Sequence, residues 1–266
     1  MKVFIDIGGH YGETIREVMK SKYDFEKIYC FEPSTKCFKK LDKIAKSDKR
    51  VTICKFGLGK KNSEIELFDS GKLSASIIKS DKNISNNKKL NGEKIRIMNA
   101  SEWVQNNLSF SDINVVKINT EGSEIEILKS WINSDCMKIF YSVVVMFDIR
   151  NFPESRHFEK EVRKDLKEIK CFNYCDADDI IRGQTHEKRI NNWLSKFGLD
   201  KDINSKEELQ KEYGNIIKKY SQKNGRFYQV EPYIKELISY NSFPNTIKRF
   251  FRFIKKIIGK NKETKA

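Results

Sequence analysis

Phe4-Ile5-Asp6-Ile7-Gly8-Gly9-His10-Tyr11-Gly12-Glu13-Thr14 decides the fold. Apolar residues lead into Asp6, glycines bracket a tight turn, and a helix-like run from Glu13 to Lys20 follows at once. A strand, a glycine turn and a helix N-terminus form a cradle for an anionic or zwitterionic ligand: glycine lets the backbone approach, and the first helical amides point at the ligand. The glycine spacing also separates cofactor classes. A dinucleotide fingerprint reads Gly-x-Gly-x-x-Gly. Counted from Gly8, its second glycine falls at His10 and its third at Glu13. A carboxylate at Asp6 would repel a phosphate. It suits a cofactor that carries an amine and a sulfonium.

Outward from this turn, short apolar runs alternate with amphipathic helical patterns, the signature of a parallel α/β sheet. Strands are expected at Val3–Ile7, Lys27–Glu32, Val51–Phe56, Val115–Ile118 and Ile139–Phe147. A helix opens after Pro33-Ser34, with Ser34 as its N-cap, and another runs around Ser123–Trp131. Ser63–Phe68 and Glu93–Met98 read as a strand pair joined by a polar surface loop. From Glu154 onward helical patterns dominate, at about 155–169, 186–197, 205–222 and 232–240, with short strand signals near Cys171 and Phe227. The expected fold is α/β: a doubly wound, mostly parallel Rossmann-like sheet with helices on both faces, plus a helical C-terminal extension. The expected division is 1–150 for the core, 151–242 for a mainly helical extension or cap, and 243–266 for a basic amphipathic helix and tail.

With 266 residues the chain is long enough for one large domain. No apolar run approaches the length that spans a bilayer, and the first strand starts almost at Met1, where a secretory signal would stand. The six cysteines are scattered. Cys171 and Cys175 have no matching second pair, so no metal site is expected, and a reducing cytoplasm is the default compartment. The net charge of +15 points to an anionic partner or to a solvated lysine coat. It is concentrated at the end: 243–266 carries eight Lys/Arg against one acidic residue. There Ile247, Phe250, Phe251, Ile254, Ile257 and Ile258 fall on one helical stripe, and Lys248, Arg249, Arg252, Lys255 and Lys256 on the other. Such a helix over 246–259 suits an anionic membrane surface at the inner face. The alternative is docking on its own domain or on a second subunit of a homo-oligomer. Nucleic acid is the weaker partner for this stripe, since Phe and Ile dominate one face.

Four features fall at the carboxyl ends of successive strands, where a doubly wound sheet binds ligands. They are the Asp6–Gly12 turn; Glu32, placed to accept ribose hydroxyls; Gly57-Leu58-Gly59 behind Phe56, able to flank an adenine; and Lys117-Ile118-Asn119-Thr120-Glu121-Gly122-Ser123-Glu124. Together they point to a nucleotide-containing cofactor.

The run 4–14, Phe31-Glu32-Pro33-Ser34 and the run from Lys117 to Leu128 resemble the three signatures of FkbM-type methyltransferases, over roughly residues 1–150. The resemblance implies a class I fold, S-adenosyl-L-methionine as cofactor, and O-methylation, often of sugars or of natural-product hydroxyls. It implies that Asp6, Gly8 and Gly12 shape the pocket for the methionine end, with His10 and Tyr11 lining it. Thr14 and Ser34 join that cofactor set, Glu32 binds the ribose, and Gly57 and Leu58 sit near the adenine. Asn119 and Glu121 would lie beside the methyl group and the acceptor. Two departures stand out: Gly9 and His10 replace the family's Ala and Asn, and Asn119 replaces an Asp. Asparagine keeps the size and hydrogen bonding but loses the charge.

A hydroxyl acceptor needs its proton removed, and a positioned base adds typically ~10²–10⁴-fold. The candidates are Glu121, Asp148 and His157, with Glu121, Asp148 and Asn119 as the catalytic set. Asp148 can alternatively pair with Arg150 or cap a loop, His10 can be a turn residue that caps the helix, and Glu124 can serve the helix dipole. The reading is a methyltransferase acting on a sugar, glycan or lipid-linked saccharide. The alternatives are an RNA methyltransferase and an inactive cofactor-binding descendant.

Overall fold

The computed structural model describes residues 1–67, 92–151, 155–180 and 185–223. The helix expected at 232–240, the strand near Phe227 and the basic stretch 246–259 lie outside the described residues.

Every residue of strand β1 (Lys2–Ile7) is buried, as a central strand covered on both faces requires. Its side chains alternate between two cores. Val3, Ile5 and Ile7 pack with Trp103, Trp131 and Leu166 on one face. Phe4 packs with Ile15, Leu41, Trp193 and Leu209 on the other. The helices behind these names are α1 (Glu13–Val18), α2 (Thr35–Ser47), α3 (Ala100–Asn107), α4 (Glu124–Asn133), α5 (His157–Glu168), α6 (Ala177–Ile180), α7 (His186–Lys196) and α8 (Lys206–Ser221). The sheet is therefore doubly wound.

The strands are β2 (Lys27–Phe31), β3 (Val51–Cys54), β4 (Gly57–Gly59), β5 (Ser63–Leu67), β6 (Glu93–Asn99), β7 (Ile113–Ile118), β8 (Phe140–Val145) and β9 (Tyr174–Asp176). The main sheet has the order β3-β2-β1-β7-β8-β9, and every pairing in it is parallel. The chain steps outward from β1 to β3, then returns to add β7 on the other side of β1. That reversal opens a crevice at the carboxyl ends of β1 and β7, the place where such sheets take ligands. A second sheet, β4-β6-β5, stands apart. In it β5 and β6 pair antiparallel, the strand pair expected from their alternation.

Residues 1–223 form one compact unit. The segment after 150 supplies β9 as a sixth strand and packs α7 and α8 into the Phe4 core. Two local differences from expectation have simple causes. Ala100–Asn107 is a helix because the Asn99 side chain accepts from the amides of Ser101 and Glu102. Ser34 holds the N-cap position of α2 without a side-chain capping bond; its amide is instead taken by Glu32.

Candidate active site

The site starts from the turn after β1. The amides of Gly8 and Gly9 both reach the Phe31 carbonyl at 3.0 Å, which folds the turn back over β2. Gly8 has φ +86°, and a Cβ there would stand 1.7 Å from the Asn119 carbonyl oxygen. The backbones that leave β1 and β7 thus meet at Gly8, and no side chain fits between them. His10 follows at φ 46°. Its amide donates to Glu32 Oε2 at 2.8 Å, and the Ser34 amide donates to Glu32 Oε1 at 2.8 Å. Both carboxylate oxygens of Glu32 are held by backbone, which fixes the side chain before any ligand arrives. Burial nevertheless pushes its carboxyl above the usual range.

These residues wall a cleft with about 750 Å³ of empty space, part of it open to solvent. Of the residues expected at the cofactor, Gly8, His10, Glu32, Ser34, Gly57, Leu58 and Asn119 line it, and so does Glu121 from the expected catalytic set. Asp6, Tyr11, Gly12, Thr14 and Asp148 do not. Asp6 lies beneath the turn, fully buried, with Oδ1 2.9 Å from Lys117 Nζ across the β1–β7 register. Burial raises its carboxyl against the pull of that ammonium. Gly12 packs against α2, where a Cβ would meet Ile44 at 2.4 Å. The Tyr11 ring sits under Lys40 Nζ at 3.7 Å. Thr14 Oγ1 lies 3.0 Å from His186 Nε2, a contact that ties the turn to α7.

Cys37, Leu67, Ile95 and Ile97 also line the cleft and were not anticipated. The signal was present for three of them. Leu67, Ile95 and Ile97 sit on the buried side of β5 and β6, and period-2 alternation marks that side as the one facing a core or a cavity.

The fit to a polar cofactor is carried by orphaned atoms. His10 Nε2 and Asn119 Oδ1 are buried on this wall without hydrogen-bond partners, which is costly unless a ligand completes them. His10 Nδ1 is 3.2 Å from Glu13 Oε1, which fixes the ring so that Nε2 stays available. The capping role is not taken: Gly12 occupies the N-cap of α1.

Carboxyls gather past Asn119. Glu121 has φ 53° and Gly122 φ 122°. Burial and the neighbouring Glu124 push the Glu121 carboxyl up to about 7. Glu124 is buried at the start of α4, where it accepts from the Gly122 amide at 2.9 Å and from the Ile149 amide at 2.6 Å. It clamps the turns after β7 and β8 together, a larger role than the dipole service expected of it. Asp148 opens the turn after β8. Burial, then Glu121 and Glu124, push it up to about 8. Its Oδ2 is buried and unpartnered. The expected alternative, a pairing with Arg150, does not occur: the Arg150 guanidinium is held by Glu159, Asp176 and Asp178. His157 begins α5. Among the described residues no group of three or more His, Cys, Asp or Glu could hold a metal ion.

No curated protein matches the chain. A crystal structure of methyltransferase FkbM from Methylobacillus flagellatus KT is similar over 50% of this chain, at 16% identity and a TM-score of 0.33. The similar region covers only 29% of that chain. The profile of the Methyltransferase FkbM domain matches residues 6–174, more than half of the chain, from Asp6 at the glycine turn to Tyr174 at the start of β9. On that match, this chain belongs to the FkbM methyltransferase family.

Proposed function

We propose that this protein is an S-adenosylmethionine-dependent O-methyltransferase whose acceptor is a sugar, glycan or lipid-linked saccharide hydroxyl. The observation that carries the reading is the switch-point cleft. Its wall carries a backbone-held carboxylate, Glu32, two orphaned polar atoms, His10 Nε2 and Asn119 Oδ1, and the Glu121 carboxyl, which is coupled in charge to Glu124 and Asp148.

Glu32 keeps lone pairs for the ribose hydroxyls, and Gly57 and Leu58 give an apolar, close-approach wall for the adenine. His10 and Asn119 hold the polar groups toward the methionine end. S-adenosylmethionine supplies a methyl group already activated on a sulfonium, so alignment carries much of the reaction, up to ~7–11 kcal/mol. What the chain must add is a proton acceptor. A carboxyl poised near neutrality does this best: Glu121, on the cleft wall, stands at about 7, and Asp148, outside the lining, at about 8. The nucleic-acid alternative rests on the net charge of +15, which a solvated lysine coat also produces. Among the described residues no helix is long and apolar enough to cross a membrane. The stretch 246–259 is assigned to an anionic membrane surface, and its loss should release the protein from anionic vesicles.

Titration calorimetry with S-adenosylmethionine and S-adenosylhomocysteine tests the reading. Micromolar binding of either, weakened by Glu32→Gln, is expected; absence of heat with both rejects it. A protein that binds both yet methylates no saccharide in a glycan panel would fit the inactive-descendant reading, which Asn119 motivates.

A further inference from the structure

The His10 ring is anchored through Nδ1 and left open at Nε2. The residue stands at φ 46°, in the left-handed region. Its amide donates to Glu32 Oε2 at 2.8 Å, and its ring centroid is 4.0 Å from that of Tyr11. Nδ1 lies 3.2 Å from Glu13 Oε1, and the second Glu13 oxygen accepts from the Tyr11 amide at 3.2 Å. The side chain as a whole is 20% exposed, yet Nε2 is buried on the cleft wall and has no partner.

The two nitrogens of a neutral imidazole do opposite work: one donates and the other accepts. An ionised carboxylate only accepts. Burial works against ionisation of Glu13, but backbone amides and His10 outweigh it and hold the carboxyl below its usual range. Glu13 is therefore a carboxylate at neutral pH, and Nδ1 must carry the proton that bridges to it. The opposite tautomer would set the Nδ1 lone pair against a carboxylate oxygen. The bond made by one ring nitrogen thus decides what the other can do: here Nε2 faces the cleft with a lone pair. It accepts from a ligand and does not donate to one. Of the two charged groups at the methionine end of S-adenosylmethionine, the ammonium can donate and the carboxylate cannot. The carboxylates of Glu13 and Glu32, both bonded to His10, favour the cation by charge as well.

We propose that Glu13 is a positioning residue for the cofactor: it holds neutral His10 in the tautomer protonated at Nδ1, so that Nε2 accepts from the methionine ammonium and the methionine carboxylate is met elsewhere. The ligand named here rests on the cofactor reading of the cleft; the tautomer does not.

Long-range ¹H–¹⁵N correlation spectra of the full chain, labelled at histidine and free of ligand, read the tautomer from the two ring-nitrogen shifts. The chain has three histidines, and the His10 signals are those lost in His10→Asn. Spectra are taken above the pH at which these signals stop titrating, so that the ring is neutral. A protonated Nδ1 beside a bare Nε2 is expected; the reverse pattern overturns the proposal without any variant. In Glu13→Ala, which alters a half-exposed side chain, the preference for Nδ1–H should be lost, and a preference that persists overturns the role of Glu13. Calorimetry then compares S-adenosylhomocysteine with two analogues, one lacking its amino group and one lacking its carboxylate. Glu13→Ala should weaken S-adenosylhomocysteine and the decarboxylated analogue roughly 3- to 10-fold, the worth of one hydrogen bond, and leave the deaminated analogue unchanged. A substitution that merely loosens the turn would weaken all three alike, and a loss that follows the carboxylate would reverse the assignment; either result overturns the proposal. Absence of heat with the wild-type protein removes the cofactor reading and the named ligand with it, while the spectra still decide the tautomer, so the two failures are distinguishable.

Discussion

Asp148→Asn should make the protein more stable in alkali. A buried acid with a raised midpoint binds its proton more tightly in the folded state than in the unfolded one. Below pH 3.8 both states are protonated, and the group is neutral to stability. As pH rises from there to about 8, the unfolded chain ionises and the folded one does not, so stability falls across that window. Each pH unit is worth ~1.4 kcal/mol, which bounds the full penalty at about 6 kcal/mol. Glu121 and Glu124 titrate in the same pocket, and protonation of either returns part of the repulsion; roughly half, ~3 kcal/mol, attaches to Asp148 alone. The amide has the shape of the acid and removes this penalty. Urea denaturation at pH 9 should show the variant more stable by ~3 kcal/mol, with an advantage under about 1 kcal/mol at pH 5. An advantage equal at the two pH values, or none at pH 9, refutes the buried-carboxyl argument.

Further outcomes follow from the proposed cofactor wall. Glu32→Gln strips the charge that holds the His10 and Ser34 amides, so S-adenosylhomocysteine affinity should fall roughly 10- to 100-fold by calorimetry, the worth of one or two charge-assisted bonds. Gly8→Ala should cost more than about 2 kcal/mol in thermal melts, since its Cβ would enter the Asn119 carbonyl at a left-handed φ. Asn119→Asp restores a charge on the wall. It should favour the sulfonium of S-adenosylmethionine over the neutral sulfur of its demethylated product by roughly fivefold in a calorimetric comparison.

The sheet and half of the cleft were legible because they are written locally. A strand with both faces apolar, a glycine turn and an acid at the next strand tip are each short patterns, and Gly8, Glu32 and Asn119 stand where those patterns put them. What escaped depends on distance in the chain. The short strand expected near Cys171 is β9, but its place at the edge of the main sheet comes from pairing with β8, which no local pattern announces. The Arg150 partners come from α5, β9 and α6, and no spacing in the sequence announces which acid an arginine will choose. Asp6 was legible as unusual, but its in-register partner was not: Lys117 holds Oδ1 and leaves Oδ2 buried without a partner.

The bond between Thr14 and His186 joins residues 172 positions apart. Lys2 reaches the carbonyl of Lys201 in the same way, and Lys206 reaches those of Phe110, Lys138 and Ile139. The first strand and the glycine turn leave the ribosome early, but their braces are among the last described residues to be made. A nascent chain therefore carries every residue that lines the cleft, Ile7 to Ser123, well before α7 and the segment around Lys201 arrive to brace the turn and the first strand.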